Sequence, residues 1–284
     1  MNVAQQAING LVIGSGYACV ALGWTILLGA ARLVNFAHGQ MYMLAAFICW
    51  FILTRSGIGY PLAAAISIAA MALLGVGMQL MMGRLVMTQN LTSLMIVTLG
   101  FGYILQGVAG LLFGGAPHTI TTELVQQKIQ FGDVWFTSQE LLIFIVTLIL
   151  YGVVWLVLQR TRQGAIIRSV AEDPKLAQLF GIDSRSVYIA IFVLEAVLVA
   201  LAAVLVAPRT PILTSMGFEE VIITFVIVVL GGIGNVGGAL IVGMLLGLFT
   251  SFFGALVTPA YTTAAIFAVL LAFLIAKPEG LRTR

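Results

Sequence analysis

The chain has 284 residues, 61% hydrophobic and only 8% charged, with a mean hydropathy of +1.14 and a net charge of +3. Soluble domains carry about a quarter charged residues, so this composition excludes an ordinary soluble enzyme. The basic residues lie in short loops and form no stripe interleaved with aromatics, which argues against a nucleic-acid surface.

The expected architecture is an all-α polytopic membrane protein, a single domain over residues 1–284. Apolar stretches occupy 8–30, 33–53, 62–82, 91–113, 139–158, 187–207, 218–230, 236–253 and 262–276. Most can cross a hydrocarbon core of about 30 Å at 1.5 Å per residue. The number of spans is eight to nine, because only Ala31 and Arg32 separate the first two stretches and residues 231–235 interrupt one long apolar run.

The first stretch is preceded by no Lys or Arg, lacks the basic start of a secretory signal, and is expected to stay as a membrane helix. Cys19 and Cys49 lie inside apolar stretches and read as packing residues, as do Met78, Met81 and Met82. At the first junction Arg32, Asn35, His38 and Gln40 place four hydrogen-bonding side chains within nine residues, and Gly39 permits the backbone to unwind. Polar groups at bilayer depth need protein or water partners. A discontinuous segment over 31–40, with Asn35 and His38 beside a solute path, is the favoured reading; the alternative makes them glue between helices.

Positive-inside counting places the N-terminus outside the cell, with Arg32, Arg84, Arg160, Arg162, Arg168, Lys175, Arg185, Lys277, Arg282 and Arg284 on the inner side. Arg55, Lys128 and Arg209 fall outside, together with a loop at 114–138 whose alternating residues suit a short hairpin or a surface helix. The long inner loop at 159–186 looks ordered. Asp173 is an N-cap, Pro174 sits at the first helical position, Leu176, Leu179 and Phe180 share a face, and Gly181 suits a positive-φ cap. Such a rigid amphipathic helix suits docking onto a cytoplasmic motor; a membrane-surface helix is the other reading.

Glu195 is a carboxylate eight residues into an apolar stretch, so it must be protonated, face water, or meet a cation from another segment or chain, with Arg32 or a partner subunit able to supply it. Its expected role is gating or solute contact, or else a polar contact between subunits. Glu219 and Glu220 read as ordinary first-turn acids favoured by a helix dipole. The second interruption, 231–238, holds five glycines and Asn235. Paired interruptions point to a midplane path made by broken helices, although glycines also serve close helix packing.

No Gly-x-x-x-x-Gly-Lys-Ser/Thr loop occurs, and neither His38 nor His118 has a carboxylate or cysteine at metal-ligand spacing, so no catalytic or metal residues are assigned.

The run Val34-Asn35-Phe36-Ala37-His38-Gly39 resembles that of the permease subunits of branched-chain amino-acid ABC importers, a family that also includes urea, amide and aromatic-acid importers. The likeness continues through Ile96-Val97-Thr98-Leu99-Gly100, Gln106, Thr161-Arg162-Gln163-Gly164, Ala171-Glu172-Asp173, Gly181-Ile182 and Val229-Leu230-Gly231-Gly232-Ile233-Gly234. It implies a multi-pass protein of the bacterial inner membrane, paired with a second permease, two cytoplasmic ATP-binding subunits and a periplasmic solute-binding protein. ATP and magnesium would sit on the partner subunits, with no cofactor in this chain. The expected path residues are Asn35, His38, Gln40, Thr98, Gln106, Glu195 and Asn235; the expected motor contact is Arg168, Glu172, Asp173, Pro174, Lys175, Leu179, Phe180 and Gly181. Glu195 and the Glu219-Glu220 pair depart from the pattern and leave an aromatic acid, amide or urea as alternative solutes. An ATP-independent channel is the rival from a different class, and a membrane enzyme is disfavoured because no acid–base or metal cluster converges.

Overall fold

A computed structural model describes residues 2–87 and 91–276; the basic residues Lys277, Arg282 and Arg284 lie outside the described residues. Each of the nine apolar stretches forms a helix: α1 (Val3–Ala31), α2 (His38–Ser56), α3 (Tyr60–Met87), α4 (Leu91–Phe113), α6 (Ser138–Arg160), α9 (Ser184–Val206), α10 (Met216–Gly231), α11 (Val236–Leu256) and α12 (Thr262–Ala276). Seven of the nine, α12 with the 3₁₀ turn before it, are long and apolar enough to cross a membrane. The two that are not, α2 and α10, both adjoin an interruption. Their polar or short sequences are the cost of starting inside the bundle.

The loop at 114–138 contains both of the expected forms. A short helix, α5 (Glu123–Gln126), precedes an antiparallel hairpin of β1 (Lys128–Phe131) and β2 (Val134–Thr137), with Gly132 at φ +62° in its turn. Asn2 Nδ2 donates to the Asp133 carbonyl at 3.1 Å, and His118 pairs with Ile212, so this loop, the N-terminus and the α9–α10 connection share one end of the bundle. At the opposite end α7 (Arg162–Glu172) and α8 (Pro174–Leu179) join α6 to α9. That end carries most of the described basic residues.

Helix α1 forms the spine. It packs on α11, α9, α6 and α10, and is buried from Ala18 to Leu28. Its hydroxyl-bearing neighbours turn inward: Tyr151 Oη donates to the Ala18 carbonyl at 2.8 Å and Thr147 Oγ1 to that of Ser15 at 3.2 Å. Cys19 and Cys49 are both buried free thiols, as their apolar surroundings suggest.

The two interruptions lie at different depths. After α1 ends at Arg32, which takes the left-handed conformation at φ 53°, the chain turns back. His38 Nε2 meets the carbonyl of Val20 at 3.1 Å, eleven residues before the end of α1, so α2 begins about 16 Å back inside the bundle. The second interruption, 232–235, is a tight turn at the basic end. Gly232 and Gly234 sit at φ +90° and +77°, and a Cβ on Gly234 would lie 2.6 Å from Cα of Gly29, near the end of α1.

Candidate translocation site and docking helices

The re-entrant residues 32–37 deliver Asn35 and His38 to Glu195 on α9, and all three side chains are buried. His38 Nδ1 lies 3.0 Å from Glu195 Oε1, while Asn35 Nδ2 donates to both carboxylate oxygens at 3.1 and 3.2 Å. Because the Val20 carbonyl can only accept, His38 Nε2 carries a hydrogen, and a single further proton is shared between Nδ1 and Glu195. Either placement of that proton leaves the pair with no net charge, which meets the requirement that a buried carboxylate be compensated. The imidazole stacks on Trp24, with centroids 5.8 Å apart and planes 13° from parallel.

Glu195 does meet a group from another segment, as expected, but not the candidate named for it. The partner of Glu195 is His38 of the same chain, neither Arg32, which is exposed, nor another subunit. Spacing along α9 gave no hint of it because the two residues are 157 positions apart.

Backbone groups of the unwound segment are also satisfied. Asn35 Oδ1 accepts from Ala37 N at 3.0 Å, and Phe36 N donates to Thr98 Oγ1 at 3.1 Å, which pins the segment to α4. The N-terminal turns of α2 and α10 then press together: a Cβ on Gly39 would fall 1.9 Å from the Gly217 carbonyl oxygen. Gln40 is buried there, its Oε1 without a hydrogen-bond partner.

Of the remaining path candidates, Gln106 lies half-buried on α4, two turns beyond Thr98, apart from the cluster. Asn235 lies at the basic end, where its side chain caps α11 by accepting from Gly238 N at 3.0 Å. The structure therefore brings together Asn35, His38, Gln40, Thr98 and Glu195, and leaves Gln106 and Asn235 elsewhere.

A feature that the residue pattern had not revealed is a cavity of about 250 Å³ between α1, α2, α6, α10 and α11. Glu219 and Glu220 line it with Tyr17, Tyr42, Arg209 and Thr210. Glu219 does occupy the first turn of α10, with Glu220 just after it, but that turn lies level with Tyr17 and Val20, about halfway along α1. The connection over 207–215, with Pro208 and Pro211 flanking Arg209 and Thr210, descends into the bundle before α10 starts. Those prolines were the available signal in the sequence.

At the basic end, Asp173 Oδ1 accepts from the N–H groups of Lys175 and Leu176 at 2.8 and 3.0 Å, so α8 starts where the Asp-Pro pair indicates. Gly181 follows at φ +80°. Helix α7, which carries Arg168 and Glu172, had not been resolved from α8 in the sequence; Arg168 donates to the Leu158 carbonyl and so ties α7 back to α6. Leu176, Leu179 and Phe180 are 52%, 83% and 79% exposed, an apolar knob projecting from a charged loop. Asp183 caps α9, and hydrogen bonds from the Ser186 hydroxyl and two backbone N–H groups hold its carboxyl below the usual carboxylate range.

Residues 6–274 match the family described as the permease component of the branched-chain amino acid transport system. The chain belongs to this permease family. It is 32% identical to the high-affinity branched-chain amino acid transport system permease protein BraD of Pseudomonas aeruginosa, over 99% of this chain and 95% of that one. The corresponding figures for LivH of Escherichia coli K12, a permease of the same description, are 30%, 99% and 95%. PsaBC from Streptococcus pneumoniae, solved in complex with Fab, shares the fold at a TM-score of 0.52 and 14% identity, covering 98% of this chain and 93% of that one. The permease is thus a multi-pass transport subunit of an ABC importer system and not an enzyme. Among its described residues no three His, Cys, Asp or Glu side chains converge on a metal position.

Proposed function

We propose that this permease forms the transmembrane path of an ATP-driven importer of branched-chain or other hydrophobic amino acids in the bacterial inner membrane. A second permease, two ATP-binding subunits holding ATP and magnesium, and a periplasmic solute-binding protein complete the complex. The observation that carries the reading is the full-length match to branched-chain amino acid permeases, and the exposed Leu176–Leu179–Phe180 knob supports it. A capped helix with an apolar tip offers a motor subunit a rigid handle. Movement of α7 and α8 reaches the bundle through Arg168 and the end of α6. Around the path, we assign Gln40 and the meeting point of α2 and α10 to the gate, with Asn35, His38, Thr98 and Glu195 holding the re-entrant segment in place.

The test is a gentle-detergent pull-down of the chain from its native membrane, with the recovered proteins identified by mass spectrometry. A second permease and two ATP-binding subunits are expected. Paired alanines at Asp173 and Lys175 should then abolish coupled uptake while leaving membrane insertion intact. Recovery of the chain alone, with solute flux through vesicles in the absence of ATP, would replace the importer by a channel.

A further inference from the structure

The cavity beside α10 has a composition that neither a packing defect nor a water pocket requires. Its lining is largely branched and aliphatic, from Val12, Ile13, Val20, Ile143, Val206 and Ile223, yet it also carries ionic side chains. Glu219 and Glu220 stand at mid-depth; Arg209 lines the same space and pairs through Nε with Glu140 at 3.0 Å. That ion pair takes one donor of the guanidinium and leaves its Nη groups for a second carboxylate.

Two buried polar groups in the cavity lack partners. Glu220 Oε2 is enclosed without a hydrogen bond. Thr250 Oγ1 is likewise enclosed without one, and Tyr42, only 2% exposed, lines the same space. Buried polar groups are nearly always hydrogen-bonded, and a recurrent reason for an exception is a missing ligand or ion. The surplus of carboxylates over guanidinium favours a cationic group at the deep end. At about 250 Å³ the space is smaller than the ~300–1,000 Å³ pockets of drug-sized ligands, which fits a solute of amino-acid size.

We propose that this cavity is a solute subsite on the permease itself, holding the ammonium group of an aliphatic amino acid at Glu219, Glu220 and Tyr42, its carboxylate at Arg209, and its branched side chain on the Val and Ile wall. The subsite rests on the importer reading above and adds to it a selective step within the membrane, after delivery of the solute. Neutral sugars and carboxylic acids without an amine gain nothing from the deep acidic end.

The test is equilibrium binding of radiolabelled leucine to the intact transport complex in lipid nanodiscs, with the solute-binding protein left out, in competition with 3-methylbutylamine and 4-methylpentanoate. The amine keeps the ammonium group and the branched chain; the acid keeps the carboxylate and the branched chain. The amine is expected to displace leucine and the acid to do so at least tenfold less well. Glu220→Gln should weaken leucine binding about tenfold, the loss of one charge-assisted hydrogen bond, and Tyr42→Phe by a smaller factor with its shape preserved. Equal competition by acid and amine, or wild-type binding in both variants, would overturn the subsite. If leucine does not bind but the complex supplied with its binding protein still takes it up with ATP, the subsite fails and the importer reading stands. If the complex neither binds nor transports leucine, the substrate reading fails and the subsite with it.

Discussion

The two interruptions, residues 31–40 and 231–238, look alike in sequence, each a glycine-bearing, Asn-bearing gap between apolar runs, and the bundle uses them in opposite ways. The first turns back to mid-depth and buries two polar side chains, Asn35 and His38, in a network with Glu195. The second stays at the basic end, where Gly232 and Gly234 supply positive φ and Asn235 caps the next helix. Side chains make the difference. A gap with His, Asn and Gln can satisfy its own backbone and a foreign carboxylate inside the bundle, whereas a gap of glycines offers only backbone and serves close approach. The counterpart of the first gap is instead 207–215, from which α10 starts at mid-depth and meets α2.

If this contrast is right, mutations in the first gap should cost far more than those in the second. Glu195→Ala leaves His38 and Asn35 buried without their acceptor and should destabilise the folded chain by about 3–5 kcal/mol, read as loss of folded protein on detergent extraction. Glu195→Gln keeps an amide in place of the carboxylate and should lose less, and an equal loss for both would show that shape and not pairing holds the segment. Gly39→Ala forces α2 off Gly217 and should cost about 1–3 kcal/mol together with uptake, because it displaces the cluster. Gly234→Ala introduces comparable strain at a positive φ, yet should lower thermal stability while preserving uptake per folded molecule. The smallest effect is expected for Asn235→Ala, about 1 kcal/mol for a lost N-cap, measured as a shift of the thermal unfolding midpoint without a change in solute preference. A transport defect in Asn235→Ala at unchanged stability would return that residue to the path and remove the distinction between the gaps.

Much of the fold was legible because hydrocarbon thickness acts on local sequence. Nine apolar stretches gave nine helices, and the Asp173-Pro174 start of α8 follows from capping chemistry that spans four residues. The site was only partly legible. Asn35, His38, Gln40, Thr98 and Glu195 stood out as polar residues in apolar runs, and they do converge. Their pairing was not visible, since Glu195 has no basic neighbour on its own helix and its partner comes from a segment packed against it in space. The cavity was less visible still: Glu219 and Glu220 looked like routine first-turn acids, and nothing in a linear pattern tells whether a helix starts at a membrane surface or halfway through it.

The sequence by itself determined that the chain lives in a membrane, where its long apolar helices lie, which end is basic, and where the exposed apolar tip of α8 falls, because each of these depends on contacts within a few residues or on the solvent around a segment. Only the tertiary structure decided depth and partnership. The descent of 32–37 to Val20, the charge balance of Glu195 with His38, and the mid-depth start of α10 beside Tyr17 and Tyr42 all depend on which helices pack together. In the bilayer core a buried polar group must be satisfied by whatever side chain the bundle places beside it.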